Sequence, residues 1–596
     1  MRPVGVDDSD LGKVYDRRLM ARLVRYMRPY LGWLALAGLL LLGLSGLELV
    51  GPFLVKLAID RYISVGDLGG LNWIALLYLL VLAGIFSLRY GQTWALNLAG
   101  QRALHDLRME LFGRLERQSL AFFDRRPVGA LITRLTNDIE ALDDFLTSGL
   151  LAVASDLLTL LGIAVALLLL NWQLALLSFV VLVPLLVITN FLRQAMRTSF
   201  RAVRVRLGRL NAYLGESLAG IQVIQLFNRE ARSRSEFRAL DDDYLQANLR
   251  STFYFALFYP VVSLLSAVAI ALVIWYGGGQ VLAGLLTFGS LVAFIQYLER
   301  FFGPIRDLAE KINIMQAAMA GSERIFELLD EPIAIQDPPD PVEPPPFEGR
   351  IDFEDVWFAY EDDNWVLRGL SFSLRPGERA ALVGATGAGK TSIISLLSRF
   401  YEPQRGRVLL DGVDVRRYRQ ADLRRRLAVV LQDPFLFTGP VSRNIRLLDD
   451  EVSDERVRWA AEYVNAARFI ERLPGGYEAD VRERGAGLSV GEKQLLAFAR
   501  AIALQPEAVL VLDEATSSVD SETEAAIQGA LAKLMAGRTS LVIAHRLSTV
   551  RNVDRILVLH RGRLVEQGSH AELLARQSHY ARLYELQYEL APATAV

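Results

Sequence analysis

A glycine-rich segment at residues 384–392 carries the residue types that hold phosphate groups. It consists of Gly384, Ala385, Thr386, Gly387, Ala388, Gly389, Lys390, Thr391 and Ser392. An apolar run at 380–383 predicts a buried strand before it, and a helical pattern follows it. Glycines let backbone N–H groups point at phosphate oxygens, and the start of a helix adds partial positive charge. The segment therefore predicts a binding site for a nucleoside triphosphate, in which Lys390 reaches the outer phosphates and Thr391 binds Mg²⁺.

A second segment, at residues 508–514, ends in two neighbouring carboxylates, Asp513 and Glu514. Its apolar run predicts a buried strand with both side chains at its end. Asp513 fits the coordination shell of Mg²⁺, whereas Glu514, on the other side of the strand, can orient or deprotonate an attacking water. A pair of helix-capping carboxylates is the structural alternative, but the nearby glycine-rich segment favours nucleotide hydrolysis.

Three further side chains are candidates because of where they lie relative to apolar runs. His545 follows the run at 541–544 and could contact the γ-phosphate, and Gln432 ends another run, where its amide could sense Mg²⁺ or the attacking water. Tyr360 precedes the glycine-rich segment and could stack on adenine. Taken singly, residues of these types more often belong to the core or the surface.

The chain that must position these residues is long and apolar. It has 596 residues, of which 52% are hydrophobic and 22% charged, and its mean hydropathy is +0.26. This composition excludes a disordered chain and a wholly soluble protein. The 65 Lys and Arg residues nearly balance the 67 Asp and Glu residues, so no overall field favours nucleic acid as a partner. The chain has no cysteine, which excludes disulfides and thiolate metal sites.

Six apolar blocks in the first half are long enough to cross a bilayer, which takes about 20 residues per helix. They lie at 33–59, 72–90, 151–170, 174–192, 254–276 and 285–302. Seven Lys or Arg residues lie within the first 28 positions, whereas the connections 171–173 and 277–284 contain none. This asymmetry predicts a cytoplasmic N-terminus and a protein of the inner (plasma) membrane.

Composition also divides the chain into domains. A membrane domain with an N-terminal cytosolic helix is predicted at 1–329, and the seven prolines of 330–349 predict a stiff, extended linker. Short β-branched runs then alternate with helical ones over 350–570, which predicts an α/β domain with parallel strands. A helix and tail follow at 571–596; the helical pattern at 570–590 could pair with a partner, although packing on its own domain is favoured. The predicted fold is thus an α-helical transmembrane domain of six spans with long cytosolic extensions, fused to an α/β P-loop nucleotide-binding domain.

Together these residues resemble the ATP-binding cassette (ABC) exporters, in which a transmembrane domain precedes the nucleotide-binding domain. Residues 488–494, L-S-V-G-E-K-Q, look like the signature sequence of that family and lie between Lys390 and Asp513, as the family requires. The segments 515–520 and 479–485 resemble its D-loop and X-loop. The resemblance covers nearly the whole chain and includes the stretches around its two coupling helices, at 122–124, 134–138 and 216–221.

The resemblance implies a mechanism that needs two chains. Two nucleotide-binding domains meet head to tail, so that ATP and Mg²⁺ on one phosphate loop are clamped by the signature sequence of the other. It assigns this clamp to Ser489, Gly491 and Glu492, and a nucleotide contact to Asp520. Closure of the pair would turn the transport cavity from inward- to outward-facing, and hydrolysis would reset it.

The sequence departs from the family at its signature, which is usually L-S-G-G-Q but here contains Val490 and Glu492. A β-branched side chain restricts close approach, and a carboxylate repels a phosphate. Because Lys390 and Glu514 are intact, the chain resembles the long subunit of bacterial heterodimeric multidrug exporters. We therefore predict a partner half-transporter with a normal signature and without the catalytic glutamate. A homodimeric exporter or lipid flippase is the alternative; an ATP-gated channel or regulator is disfavoured by Glu514.

Ionisable residues within apolar blocks are costly unless they face a cavity or a partner group. Such positions are Glu48, Arg89, Asp156 and Glu299, with Gln296 as a polar neighbour. Salt bridges between helices and contacts with cargo explain them equally well. The otherwise apolar blocks predict hydrophobic or amphiphilic cargo, which includes drugs, lipids and peptides.

Overall fold

A computed structural model describes residues 16–361, 363–447, 449–513, 521–544 and 547–585. The chain forms two compact units. The first comprises Met1–Glu116 and Val128–Glu331, and the second comprises Arg117–Pro127 and Pro332–Val596. The segment Arg117–Pro127 thus belongs to the second unit, although its neighbours in sequence on both sides belong to the first.

Long helices joined by short turns build the first unit. The α-helices of residues 16–330 are α1 (Arg17–Met27), α2 (Leu31–Leu57), α3 (Leu68–Glu116), α4 (Leu120–Arg125), α5 (Val128–Thr133), α6 (Ile139–Asp144), α7 (Leu150–Leu170), α8 (Trp172–Val180), α9 (Leu182–Ala219), α10 (Ile221–Leu226), α11 (Glu230–Leu282) and α12 (Phe288–Asp330). Of these, α4 belongs to the second unit.

Five helical stretches among the described residues are long and apolar enough to cross a membrane. They are Arg17–Ile63, Leu68–Glu116, Val128–Leu170, Trp172–Ala219 and Glu230–Leu282. They contain the first five predicted blocks, and the fourth block is interrupted at Val181, between α8 and α9. The sixth block leads into α12, whose residues Phe294, Leu298 and Phe302 are buried in one apolar cluster with side chains of α7, α8, α9 and α11. The sixth helix therefore packs into the same bundle as the other spans.

Charged residues within the predicted spans pair with one another. The guanidinium of Arg89 donates to Glu48 at 2.6 Å, which joins α2 to α3. Lys311 of α12 forms an ion pair with Asp156 of α7. Glu299 is exposed. Salt bridges between helices thus account for three of the four ionisable positions, and the pairs neutralise charge that would be costly in an apolar environment.

Two sheets and one short strand pair form the framework of the second unit. Its strands are β1 (Ile351–Ala359), β2 (Trp365–Leu374), β3 (Arg379–Val383), β4 (Arg405–Leu410), β5 (Val413–Asp414), β6 (Leu427–Val430), β7 (Gly439–Pro440), β8 (Asp480–Val481), β9 (Val509–Asp513), β10 (Ser540–Ile543), β11 (Arg555–His560) and β12 (Arg563–Gly568). The larger sheet has the order β12-β11-β3-β10-β9-β6, and only its edge strand β12 is antiparallel. The smaller sheet, β2-β1-β4-β5, is antiparallel and was not predicted from the sequence.

Helices cover the larger sheet. They are α13 (Lys390–Leu397), α14 (Gln420–Arg425), α15 (Val441–Arg446), α16 (Asp454–Tyr463), α17 (Ala467–Ile470), α18 (Val490–Leu504), α19 (Ser521–Met535), α20 (Leu547–Arg551), α21 (His570–Ala575) and α22 (His579–Tyr584). Alternate residues of β3 enter two different apolar clusters: Ala380 and Leu382 lie in one, Ala381 and Val383 in the other. A strand buried on both faces is a nearly continuous apolar run, which is why its position could be predicted.

The linker is extended and attached to the second unit. Residues 332–349 contain no helix or strand. The carbonyl of Gln336 accepts a hydrogen bond from Arg399 at 2.9 Å, and the amide of Val342 donates to the carbonyl of Arg417 at 3.0 Å. These contacts fix most of the proline-rich segment against the nucleotide-binding unit.

The C-terminal segment differs from the single helix predicted over 570–590. It forms α21 and α22, separated by a turn in which Gln577 has a φ of 49°. Leu573 and Tyr580 are buried in a core cluster of the second unit, as expected for packing on its own domain. The remainder of the predicted helix, beyond residue 585, lies outside the described residues.

Candidate nucleotide-binding site

The loop between β3 and α13 has glycines where a side chain would not fit. A Cβ on Gly384 would lie 2.4 Å from the carbonyl oxygen of Leu559. Gly389 has a φ of 98°, in the left-handed region, and a Cβ there would lie 2.7 Å from Leu367 Cδ2. The loop can therefore wrap tightly, and α13 starts directly behind it at Lys390.

Lys390 is the first residue of α13 and directly follows the glycines of the predicted segment. Its side chain is buried, and Nζ donates to the carbonyls of Gly384 at 2.7 Å and Ala385 at 3.2 Å. Burial lowers the pKa of the Lys390 ammonium, while the carboxylate of Asp513 acts in the opposite direction. The cation thus stands at the start of a helix, where both its charge and the helix dipole attract an anion.

Asp513 and Thr391 meet at the same edge of the sheet. The hydroxyl of Thr391 lies 3.3 Å from Asp513 Oδ2, and Asp513 is buried. The geometry follows from strand order, because β3, β10 and β9 are parallel neighbours and their carboxyl ends face the loop. A hydroxyl and a carboxylate at this spacing are oxygen ligands of the kind that Mg²⁺ takes, with phosphate and water in its other positions.

Two further predicted site residues, Tyr360 and Gln432, are exposed. Tyr360 is 40% exposed, its hydroxyl lies 3.0 Å from Ser392 Oγ, and Ser392 is itself buried in α13. Gln432 is exposed two residues beyond the end of β6, the strand beside β9, so it also stands at the carboxyl edge. Within the loop, Thr386 and Gly387 are exposed and Ala388 is buried.

Three predicted site residues cannot be placed. Glu514, Asp520 and His545 lie outside the described residues. Their predicted roles remain predictions, although Asp513 and Ile543, close before them in sequence, end neighbouring parallel strands.

The signature segment forms the start of α18 and is closed by its own side chains. Ser489 is the residue before the helix; its hydroxyl accepts from the amide of Glu492 at 3.2 Å, and the Glu492 carboxylate accepts from the amide of Ser489 at 2.7 Å. Val490 is 49% exposed, and Gly491 is buried. This reciprocal arrangement is a capping box.

The capping role of Glu492 was not predicted from the sequence. The signal was present, because serine followed three residues later by glutamate at a helix start is the pattern of a capping box. Glu492 therefore places a negative charge at the helix start and also occupies the backbone amide of Ser489.

The residues present fit ATP and Mg²⁺. Gly384 and Gly389 leave space for a backbone cradle that a Cβ would fill, Lys390 supplies a cation, and Thr391 and Asp513 supply oxygen ligands. Thr391 and Asp513 would hold Mg²⁺, which would supply positive charge to offset the charge that develops during phosphoryl transfer.

Comparisons with known proteins agree with this geometry. Residues 34–305 match the family model for the ABC transporter transmembrane region, and residues 367–517 match the ABC transporter family model. The chain is 38% identical over 591 residues to the uncharacterized ABC transporter ATP-binding protein YknV of Bacillus subtilis strain 168, covering 98% of this chain and 97% of that protein. The chain belongs to the ABC transporter family. The predicted family and fold class are thereby confirmed.

Two further similarities indicate that this ABC transporter is an exporter. It is 36% identical to the ATP-dependent lipid A-core flippase of Syntrophus aciditrophicus strain SB, over 96% of this chain and 95% of that protein. The structure is similar to that of a bacterial Atm1-family ABC exporter with ATP bound, with a TM-score of 0.75 and 31% identity, covering 98% of this chain and 100% of that one. The ABC exporter is thus a multi-pass membrane ATPase coupled to transport, with a cytosolic nucleotide-binding unit, and exporters of this family work as dimers.

Proposed function

We propose that this chain exports hydrophobic or amphiphilic molecules as one half of a heterodimer with one competent and one degenerate ATP site. The observation that carries the proposal is the contrast between two helix starts in one chain. The start of α13 has a glycine cap and a cation, whereas the start of α18 carries the negative charge of Glu492 and the exposed β-branched side chain of Val490. A chain with an intact phosphate-binding loop and an altered signature complements a partner that has a normal signature and lacks the catalytic glutamate.

In the competent site, this chain supplies the catalytic half. Lys390 holds the outer phosphates, and Thr391, Asp513 and Gln432 surround the metal position. Glu514 orients or deprotonates the attacking water, and His545 contacts the γ-phosphate. The partner contributes a normal signature sequence to this site.

In the degenerate site, this chain supplies the signature, and the partner lacks the catalytic glutamate. Ser489, Gly491 and Glu492 face the partner's nucleotide there. The carboxylate of Glu492 opposes the phosphate charge, and Val490 hinders close approach. ATP can stay bound at such a site without being hydrolysed. The competent site would then drive turnover, while the degenerate site keeps the two nucleotide-binding domains together.

Lipids are the cargo class that we favour among amphiphiles. The lipid A-core flippase relative supports this choice. The pairing of Glu48 with Arg89 and of Asp156 with Lys311 also supports it, because paired charges create no strong preference for charged cargo.

Isolation of the tagged chain from its native membrane tests the heterodimer. We expect a second half-transporter to copurify in equal amount. Recovery of this chain alone, as an assembly that hydrolyses ATP, would instead support the homodimer.

Reconstitution of the isolated assembly in liposomes tests the cargo. We expect ATP-dependent movement of a tail-labelled phosphatidylethanolamine between leaflets. ATP hydrolysis without lipid movement would contradict the lipid proposal, and an ATP-induced ion current would indicate a channel.

A further inference from the structure

The cytosolic extensions of α9 and α11 carry an unbalanced positive charge close to the membrane. Residues 157–215 and 244–298 contain no Asp or Glu. They contain seven arginines, six of them at 193–209 and the seventh at Arg250. The whole chain is nearly balanced, with 65 Lys and Arg residues against 67 Asp and Glu residues, so this excess of positive charge is local.

Four of these arginines form a stripe along α9. Arg193, Arg197, Arg201 and Arg204 follow one another at intervals of four, four and three residues, which places them on one face of a helix. All four are exposed. We call this set the arginine stripe.

No carboxylate neutralises the arginine stripe in the part of the chain that the structure describes. The helices α9 and α11 run antiparallel, because Arg206 pairs with Asp243 at 2.9 Å and the hydroxyl of Tyr213 donates to the carbonyl of Ser233 at 2.9 Å. This register places residues 245–256 of α11 beside the stripe, and that stretch contains no acidic residue. None of the four arginines forms an ion pair with another described residue.

The arginine stripe begins at the membrane surface. The fourth predicted span ends at residue 192, directly before Arg193. Because a helix rises about 1.5 Å per residue, Arg197 lies about 6 Å and Arg204 about 17 Å further along α9. The headgroup layer extends about 5 to 8 Å beyond the hydrocarbon core. Arg193 and Arg197 therefore lie among the headgroups, and Arg201 and Arg204 act on them through a field that salt screens within about 10 Å.

Exposed aromatic rings mark the same level on α11. The register places Phe253 and Phe255 beside Arg193 and Arg197, and they are 63% and 50% exposed. Apolar rings of this size are costly in water and fit a lipid environment. Cations and apolar rings at one level favour lipid over the carboxylates of a protein partner as what covers the stripe.

We propose that the arginine stripe binds the headgroups of anionic phospholipids in the cytoplasmic leaflet. A guanidinium can donate two parallel hydrogen bonds to a phosphate, and basic side chains directly cytoplasmic of a span each favour anionic lipid by about fivefold. The bound lipid is a partner of the membrane domain and not its cargo. The inference depends neither on the proposed cargo nor on the heterodimer.

The test captures lipid beside the stripe on this chain alone. The photoreactive amino acid p-benzoylphenylalanine replaces Gln194, an exposed and uncharged residue next to Arg193. The assembly isolated from its native membrane is placed in liposomes of phosphatidylcholine with a minority of phosphatidylglycerol. Each lipid is supplied in turn in a clickable form with the same acyl chains, and the amount crosslinked to this chain is measured per molecule of that lipid.

We expect phosphatidylglycerol to be captured at least about fivefold more than phosphatidylcholine. Arg193→Gln/Arg197→Gln should reduce this preference to less than about twofold, whereas Arg193→Lys/Arg197→Lys keeps the charge and should keep most of the preference. Arg234→Gln/Arg238→Gln is the matched control. It removes two exposed arginines with the same spacing from α11, about 24 Å or more before the fifth predicted span, and should leave the preference unchanged.

Equal capture of the two lipids by the chain with native arginines would overturn the inference, and so would an equal loss of preference in Arg234→Gln/Arg238→Gln or in Arg193→Lys/Arg197→Lys. Suppression of capture by inorganic phosphate would assign the stripe to a free anion. Separation of the assembly into single chains in Arg193→Gln/Arg197→Gln would assign it to carboxylates of the partner. A failure of the lipid-movement assay with the capture preference intact would contradict only the proposed cargo.

Discussion

The first turns of α13 and α18 differ in how strongly they can attract an anion. Gly389 precedes α13 and makes no side-chain cap, so the first backbone amides of that helix stay available to a phosphate, beside the ammonium of Lys390. Ser489 and Glu492 close α18 with their own oxygens. A helix start attracts anions only where neither its amides nor its charge is already satisfied.

The comparison explains why the altered signature need not destabilise the fold. Glu492 repels a phosphate but stabilises the helix that carries it, because an acidic side chain in the first turn interacts favourably with the helix dipole. In the degenerate site that we propose, the residue that weakens the hold on the partner's nucleotide therefore also stabilises α18.

Removal of the cation at α13 should have the largest effect. Lys390→Ala should lower the ATPase activity of the native assembly by about 100-fold or more, as for loss of a preorganised group at developing charge. The rate of phosphate release measures it. Lys533→Ala removes a lysine from α19 and should leave the rate near that of the wild type. An equal loss of ATPase activity in the two variants would contradict a specific role for Lys390.

Removal of the predicted metal ligand at the start of α13 should have the next largest effect. Thr391→Val removes the hydroxyl that faces Asp513, and should raise the Mg²⁺ concentration for half-maximal ATPase activity by about tenfold. Thr391→Ser keeps a hydroxyl and serves as the control. An unchanged Mg²⁺ dependence in Thr391→Val would show that the hydroxyl does not reach the metal.

The capping box predicts a smaller effect on stability at α18. Glu492→Ala should lower the free energy of unfolding of the nucleotide-binding unit by about 1 kcal/mol, since it removes one half of the box. Glu492→Gln should change it little, because glutamine can make the same contact to the amide of Ser489. Thermal unfolding of the full chain measures both, and equal stability of the two variants would show that the box contributes nothing.

Much of the architecture was predictable because its signals are local. The apolar blocks marked the spans, and the double-sided burial of β3 gave a continuous apolar run ahead of the glycine-rich loop. Lys390, Thr391 and Asp513 were predictable together because parallel strands bring their carboxyl ends to one edge.

Other features depend on contacts between segments distant in sequence. Nothing local shows that Arg117–Pro127 packs with the second unit, or that Tyr401 meets Asp124. The break between α21 and α22 arises because Leu573 and Tyr580 both turn into the core, which a single helix over 570–590 does not allow for. The capping role of Glu492, by contrast, was visible in the sequence and was hidden by its place in a family signature.

The most direct test of the asymmetry is the ATPase activity of this chain purified alone, compared with a Val490→Gly/Glu492→Gln variant of the same preparation. Our account predicts a low wild-type rate, since every clamp in such an assembly is the altered signature, and a rise of about tenfold in the variant, which corresponds to about 1.4 kcal/mol. A wild-type rate that Glu514→Gln abolishes but Val490→Gly/Glu492→Gln leaves unchanged would contradict it.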